Sequence, residues 1–420
     1  MELSVKAWGD TIGKIVEHNG INLFALSPNT NLGFSPIQLK EKNKPYDFSH
    51  LSFQNGLPGL INDALPGQYG KEYLNAFFVK HFKYEPSVVE TLQFICDNTL
   101  GALSFEPSIL SDDNGDGIVL QAKELYEQTK MALNGKAELS LAKIIAISNS
   151  AASGARPKAI VGLNKDTHEI FVGKKGGDIP DGFKYSIIKF DNLVYGNNRG
   201  VPTPYDDQKI SKTITEHIYA LLAKKCGIIM PETALIETDS GIHFAVERFD
   251  IQQTKNGIER LHMHSLSGLM HHNPAETTFD YMNMFRVGLR LNIPNEDMTN
   301  LYRIMVFNII FANKDDHSRN ISYLMDKNGK WRAAPAYDLT FTYNRHHQML
   351  FNYKSAHELD RKHLMQMGQE FKIQNCNEII SMMIEIKYAA LLDLAAQYGV
   401  GQWANEVIEL TVKVDKSLRN

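Results

Sequence analysis

Asp315-Asp316-His317-Ser318-Arg319-Asn320 is the stretch of this chain with the clearest chemical content. Asp315 and Asn320 have a D-x-x-x-x-N spacing. A carboxylate so placed can accept the proton of an attacking hydroxyl, and the carboxamide can help hold Mg²⁺ against phosphate oxygens. Asp316 does not keep that spacing to Asn320, so Asp315 is the expected base. One hairpin later, Asp338 ends the apolar stretch APAYD, where a second oxygen ligand for Mg²⁺ belongs. Each element taken singly reads equally well as a polar loop after a helix or as a strand-end aspartate.

Upstream, SNSAASGARPK (148–158) is small and polar as far as Gly154 and ends in Lys158. Such a backbone can turn consecutive N–H groups toward phosphate oxygens, with Lys158 adding a point charge. It does not fit G-x-x-x-x-G-K-[ST], and alone it is also an ordinary surface turn. Lys189 lies near the end of the strand candidate YSIIKFD (185–191), and Glu216 sits in the middle of the helix that follows. A strand lysine on nucleotide phosphates, held by a helix glutamate, is a working part of phosphoryl-transfer sites. Lysine–glutamate pairs of this kind also arise without function. Glycine loop, Lys, Glu, D-x₄-N and late Asp in that order favour phosphoryl transfer jointly where none does singly.

The elements that must position these residues follow from periodicity. Residues 1 to about 70 alternate apolar and polar residues in short strands (SVKAWG, KIVEH, INLFAL), with a short helix around Leu60–Leu65 ended by Pro66-Gly67. From Ser87 to Glu138 the patterns are mainly helical. LAKIIAI (141–147), AIVGLN (159–164) and HEIFVG (168–173) are strand candidates, the last two joined by a turn at Lys165–Asp166. Ile210, Ile214, Ile218 and Leu222 form the apolar stripe of an amphipathic helix. TALIET, IHFAVERFD and IERLHMHSL follow as strands, with a hairpin turn at Asn256-Gly257. After Pro274 the chain is mostly helical. YRIMVFNIIFANK is apolar nearly all round and is expected to be buried. The strands ISYLM and WRAAPAYD flank the turn Lys327–Lys330, and helices near 376–398 and 402–418 close the chain.

Composition sets outer limits. With 420 residues, two or three domains are expected, and 43% hydrophobic against 22% charged residues leaves ample apolar material for a core. Lys+Arg 44 against Asp+Glu 48 gives −4, so no overall basic field attracts nucleic acid or an anionic membrane. Cys96, Cys226 and Cys376 are scattered and odd in number, which argues for a reducing compartment. The N-terminus lacks the apolar run of a signal peptide, and no stretch approaches the ~18 apolar residues of a membrane span. A cytoplasmic protein without membrane association is expected.

Two other patterns carry less. Asp112-x-Asn114-x-Asp116-Gly117 begins like a Ca²⁺ loop, but its twelfth position is Lys123 and Glu124 comes one place late. His262, His264, His271, His272, His346 and His347 lack cysteine neighbours and any H-E-x-x-H pattern, and are expected to be surface or satisfied core side chains.

The stretches GLPGLINDALP, SGARPKA, IIKF, the helix bearing Glu216, VERFD, NKDDHSRNISYL and APAYDLTF, in this order, resemble HipA, the serine/threonine kinase of bacterial toxin–antitoxin pairs, over essentially the full length. The resemblance implies an α+β fold in two protein-kinase-like lobes with an additional N-terminal α/β subdomain. The divisions are 1–138 for that subdomain, 139–273 for the small lobe and 274–420 for the helical lobe. It also implies ATP and Mg²⁺ as cofactors. By position, Ala152, Ser153, Gly154, Ala155, Arg156, Pro157 and Lys158 form the phosphate loop, Lys189 contacts phosphate, and Glu216 partners it. Glu247, Arg248 and Phe249 form the hinge that receives adenine. Asp315 is the base with His317 and Asn320 nearby, Asn320 and Asp338 hold metal, and Tyr337 flanks the nucleotide.

Members of this family phosphorylate a serine in their own loop, and a dianion there would repel ATP. Counted back from Gly154 that serine falls on Ala151, which leaves Ser150 as the first candidate, with Ser148 and Ser153 behind it. Asp338-Leu339-Thr340 also lacks the glycine that follows the metal aspartate in protein kinases. The resemblance further implies a HipB-like helix-turn-helix antitoxin, DNA contacted only indirectly through it, and a protein substrate among translation components. A small-molecule phosphotransferase on the same fold and an inactive nucleotide-binding corepressor are the alternatives. The intact set Lys189, Asp315, Asn320 and Asp338 argues against the second.

Overall fold

Alternation of apolar and polar residues makes the N-terminal strands half-buried ribbons. Leu3, Val5 and Ala7 point inward from β1 (Glu2–Ala7), as do Ile12 and Ile15 from β2 (Asp10–His18). β3 (Ile21–Leu26) follows the left-handed pair Asn19-Gly20, the backbone that a tight hairpin needs, and β4 (Pro45–Asp47) adds the edge. The computed structural model describes residues 1–109, 117–133, 156–173, 179–191, 211–254, 257–344 and 346–419. The expected strand at 141–147, the Ca²⁺-like residues 112–116, and Ser148, Ser150, Ala152, Ser153, Gly154 and Ala155 lie outside the described residues.

Helices α1 (Gly59–Asn62), α2 (Gln68–Phe82) and α3 (Val88–Ile95) sink Leu60, Tyr73, Phe78 and Phe94 into the core beside that sheet. α2 has no counterpart among the sequence expectations. Pro66-Gly67 reads as an end, yet Gly67 is the extended residue from which the next helix starts. The stretch from 87, expected to be mainly helical, holds α3 but also β5 (Leu103–Glu106), which completes the sheet in the order β4-β3-β2-β1-β5. β6 (Ile118–Gln121) and α4 (Ala122–Leu133) follow. Strands of four residues between turns are too short to show a period of their own.

The second sheet adds β7 (Lys158–Leu163), β8 (Glu169–Val172), β9 (Lys184–Lys189), β10 (Thr233–Thr238) and β11 (Gly241–Glu247), with α5 (Lys212–Lys225) inserted before β10. Its order is β10-β11-β9-β7-β8-β6, antiparallel at every pairing. Residues 118–133, grouped by sequence with the N-terminal segment, supply its edge strand and the helix bearing the buried Leu125.

β12 (Ile251–Thr254) and β13 (Gly257–Arg260) form a hairpin, followed by β14 (His262–Ser265) and α6 (Leu266–Met270). The helical part comprises α7 (Tyr281–Arg290) and α8 (Asn295–Ile310), then β15 (Ser322–Met325) and β16 (Trp331–Ala333), which extend β14 into a three-stranded sheet. α9 (Arg361–Glu370), α10 (Cys376–Gln397) and α11 (Gly401–Arg419) close the chain. α8 is buried on nearly every side, as its composition predicts. Among the described residues no helix is long and apolar enough to cross a membrane.

Two contacts join distant segments. α1 and α6 approach so closely that a Cβ on Gly59 would lie 2.1 Å from the Gly268 carbonyl oxygen. Lys387 on α10 is fully buried. Its Nζ donates to Ile310 O at the end of α8 (2.9 Å) and to Asp415 Oδ2 on α11 (2.8 Å). Burial pulls Lys387 down to about 8, although Asp415 opposes this. Replacing Lys387 by Met strands a buried carboxylate and a helix-end carbonyl. Urea unfolding of Lys387→Met should show a loss of ~3–5 kcal/mol, with much of it regained in Lys387→Met/Asp415→Leu.

Candidate active site

The register of the second sheet places Lys158, at the start of β7, directly opposite Lys189, at the end of β9. Both are buried, and the two cations respond differently. Burial and then the charge of Lys189 pull Lys158 down to about 8. Burial acts to lower Lys189 as well, but Asp338 and Glu216 outweigh it and hold Lys189 above its ordinary value. Lys189 Nζ contacts both Glu216 Oε1 and Asp338 Oδ1, and lies 5.7 Å from the Phe244 ring centre. Glu216 is carried on the buried face of α5, and its other oxygen lies 3.4 Å from Arg156 Nη1.

Asp338 has φ +53°, a left-handed backbone that Asp tolerates better than most residues. The turn that a following glycine would otherwise ease is thus taken by the aspartate itself. Burial would raise its carboxyl, but Lys189 and then Lys158 hold it well below the usual carboxylate range.

The loop carrying Asp315 grows out of α8. Ala312 is left-handed (φ +51°) just past the helix end, a position where glycine is the usual residue. Ser318–Asn320 form one 3₁₀ turn, and Asn320 Nδ2 donates back to Asp315 O at 2.8 Å. The two adjacent aspartates face opposite ways. Asp316 is 2% exposed; Oδ2 accepts from Tyr281 OH (2.9 Å) and meets His347 Nδ1 (2.7 Å), and Oδ1 accepts from Gln348 N (2.7 Å). The Asp315 side chain is 46% exposed, with Oδ1 accepting from Gln348 Nε2 at 2.8 Å and lying 3.8 Å from His317 Nε2.

At the end of β11, Glu247 N donates to Glu232 O and Arg248 N to Tyr185 O, which sets the chain direction at the expected hinge. The Phe249 ring lies 5.7 Å from that of Tyr337, whose hydroxyl donates to Arg319 O at 2.7 Å. The hinge is fastened to the N-terminal segment. Arg248 Nη2 donates to Thr99 O (2.9 Å) and Asp250 Oδ2 (2.7 Å), Gly101 N donates to the same carboxylate, and Arg260 Nη1 reaches Asp97 O.

One cavity of about 580 Å³ runs through these groups. Arg156, Lys158, Lys189, Glu216, Glu247, Arg248, Phe249, Asp315, His317, Asn320, Tyr337 and Asp338 all line it, whereas Pro157 does not. Leu100, Asp63, Ser265 and Gln348 also line it, and sequence reasoning missed them. Asp63 stands in GLPGLINDALP, but its partners His264 Nδ1 (2.6 Å) and Ser265 N (2.7 Å) are some 200 positions away, so no local spacing marks it. Leu100 is placed by the bonds its neighbours make, Thr99 O accepting from Arg248 and Arg260 and Gly101 N donating to Asp250. The histidines expected to be surface or satisfied include His262 and His264, both buried on β14, with His262 Nε2 2.9 Å from Phe34 O.

The chemistry of the lining is graded. Lys158 and Lys189 suit phosphate, while Leu100, Ile187, Phe249 and Met263 with Tyr337 suit a planar ring. Asp338 and Asn320 offer the hard oxygen ligands that Mg²⁺ accepts. Among the described residues no three His, Cys, Asp or Glu side chains gather as a metal cluster. Two protein oxygen ligands alone leave most of an octahedral Mg²⁺ shell to be filled from elsewhere.

Residues 150–390 match the family model of the HipA-like C-terminal domain. Comparison with curated proteins gives no match. Among solved structures, the chain is similar to one in the complex of HipA, HipB and operator DNA from the Shewanella oneidensis MR-1 toxin–antitoxin system. The TM-score is 0.66 at 14% identity, over 99% of this chain and 96% of that one. A weaker likeness, with TM-score 0.33 and 13% identity, covers 56% of this chain and 94% of the proinflammatory kinase CtkA of Helicobacter pylori.

Lys158 gives this cavity a pH dependence. Held near 8, it is charged below that pH and neutral above it, so the cationic end weakens as pH rises. Calorimetric affinity for a nucleoside triphosphate should fall between about pH 7 and about pH 9. Lys158→Met should lower affinity at the acid end and flatten the profile.

Proposed function

The chain belongs to the HipA-like C-terminal domain family, and on that premise we propose that it is an ATP- and Mg²⁺-dependent serine/threonine protein kinase. The α+β fold is the HipA-like one. The observation that carries the proposal is that Lys189, Glu216, Asp315, Asn320 and Asp338, contributed by a strand, a helix and two loops, converge on one cavity.

In this reading Leu100, Ile187, Phe249 and Tyr337 enclose the adenine, against the hinge 247–249. Lys158 and Lys189 meet the phosphates, and Glu216 keeps Lys189 charged and aimed. Asp338 and Asn320 hold Mg²⁺, which when bound neutralises charge developing on the phosphates. Asp315 accepts the proton of the attacking serine or threonine hydroxyl, and its half-exposed carboxylate leaves room for that acceptor. Asp316 serves as a buried anchor for the loop. Autophosphorylation on Ser150 would place a dianion in the phosphate loop and oppose nucleotide binding. By likeness to the HipA–HipB–DNA complex, a HipB-like antitoxin is the proposed partner, with DNA contacted through it; a translation component as substrate is proposed only from the motif resemblance to HipA.

Intact mass before and after incubation with ATP and Mg²⁺ tests this. Wild type should gain phosphate on itself or pass it to an added protein acceptor. Asp315→Ala should slow transfer by ~10²–10⁴ while still binding nucleotide. Asp338→Ala should bind nucleotide without the strengthening that Mg²⁺ gives wild type. ATP binding with no transfer to any acceptor would instead favour the nucleotide-binding corepressor.

A further inference from the structure

The stretch His347-Gln348 grips both aspartates of the Asp315 loop. His347 Nδ1 lies 2.7 Å from Asp316 Oδ2, and Gln348 N donates to Asp316 Oδ1 at 2.7 Å. The side chain of Gln348 turns the other way, and Nε2 donates to Asp315 Oδ1 at 2.8 Å. The stretch is itself held firmly: Leu350 N donates to Phe279 O (2.7 Å), and Tyr281 N to Leu350 O (2.9 Å). Lys314 N donates to Thr342 Oγ1 at 2.8 Å, a second tie between the two segments. Gln348 is half-buried and lines the same cavity as Asp315.

We propose that Gln348 is a positioning residue for Asp315, a role that rests on the reading of Asp315 as the base. A half-exposed carboxylate has rotational freedom. A donor fixed to one oxygen removes it, and the other oxygen is left presented to the acceptor hydroxyl. Because the Gln348 backbone holds buried Asp316, the donor is referenced to the protein interior rather than to the exposed rim. Misplacing a reacting group by about 1 Å can cost ~10²-fold in rate, so one side-chain hydrogen bond here has kinetic weight beyond its effect on stability.

The test is a double-mutant cycle on full-length protein. Gln348→Leu keeps the bulk and removes the donor. It should lower kcat by ~10–100-fold and leave KM for ATP within about twofold. In the Asp315→Ala background the same change should alter the residual rate by less than about threefold, because residues that act as a unit are strongly non-additive. An equal loss in both backgrounds, or none in wild type, overturns the proposal. A readout free of turnover uses selective ¹⁵N-glutamine labelling, with the Gln348 carboxamide signal assigned by its loss in Gln348→Asn. That signal should move on Asp315→Ala, and a signal that stays in place overturns the contact. If wild type transfers no phosphate but the signal moves, the kinase reading fails while the Gln348–Asp315 contact stands.

Discussion

A lysine ammonium taken out of water must meet opposite charge, and Lys189 meets two carboxylates from different parts of the chain. Glu216 comes from the helix between β9 and β10, and Asp338 from the far end of the three-stranded sheet. Satisfying Lys189 therefore requires sheet, helix and helical part to be assembled together. The cavity is the space this assembly encloses, with the positive end fixed where strands β7 and β9 bring Lys158 beside Lys189. Removing either carboxylate would leave a buried cation partly unmatched, so the geometry of the site and the integrity of the fold share one cause.

What the sequence made legible was chemistry confined to short stretches. Lys189, Glu216, Asp315, Asn320 and Asp338 could be named because each sits at a readable place in a strand, helix or loop. Asp315 was distinguishable from Asp316 by spacing alone, and the structure sets the two in unlike surroundings. The long helices were visible for a related reason: α8, α10 and α11 carry several turns of periodic signal. The α+β class was what the resemblance to HipA implied, and the structural likeness agrees with it.

Illegible residues were those whose meaning is tertiary. Leu100 lies in a loop without local signal and acquires its place from Arg248 and Arg260, both far along the chain. Gln348 was one glutamine in a stretch without period. α2 hid behind a Pro-Gly pair that reads as a helix end but opens a helix, and β5 and β6 hid in four-residue runs that become strands only through their neighbours. The N-terminal segment thereby enters the cavity wall, which its sequence gave no reason to expect.

The meeting of Gly59 with Gly268 bears on how this molecule can diverge. The Gly268 backbone occupies the volume where the first side-chain carbon of residue 59 would stand, and the Asp63 carboxylate with the His264 ring occupies the corresponding volume at residue 268, so the joint admits hydrogen and nothing larger at either position. A drifting lineage could enlarge one position only by shifting the partner segment, and with it Asp63 and Ser265 at the cavity edge. The N-terminal segment and the helical part are thus bound to a common evolutionary fate: a domain shuffled in from elsewhere would have to arrive already carrying its half of the joint.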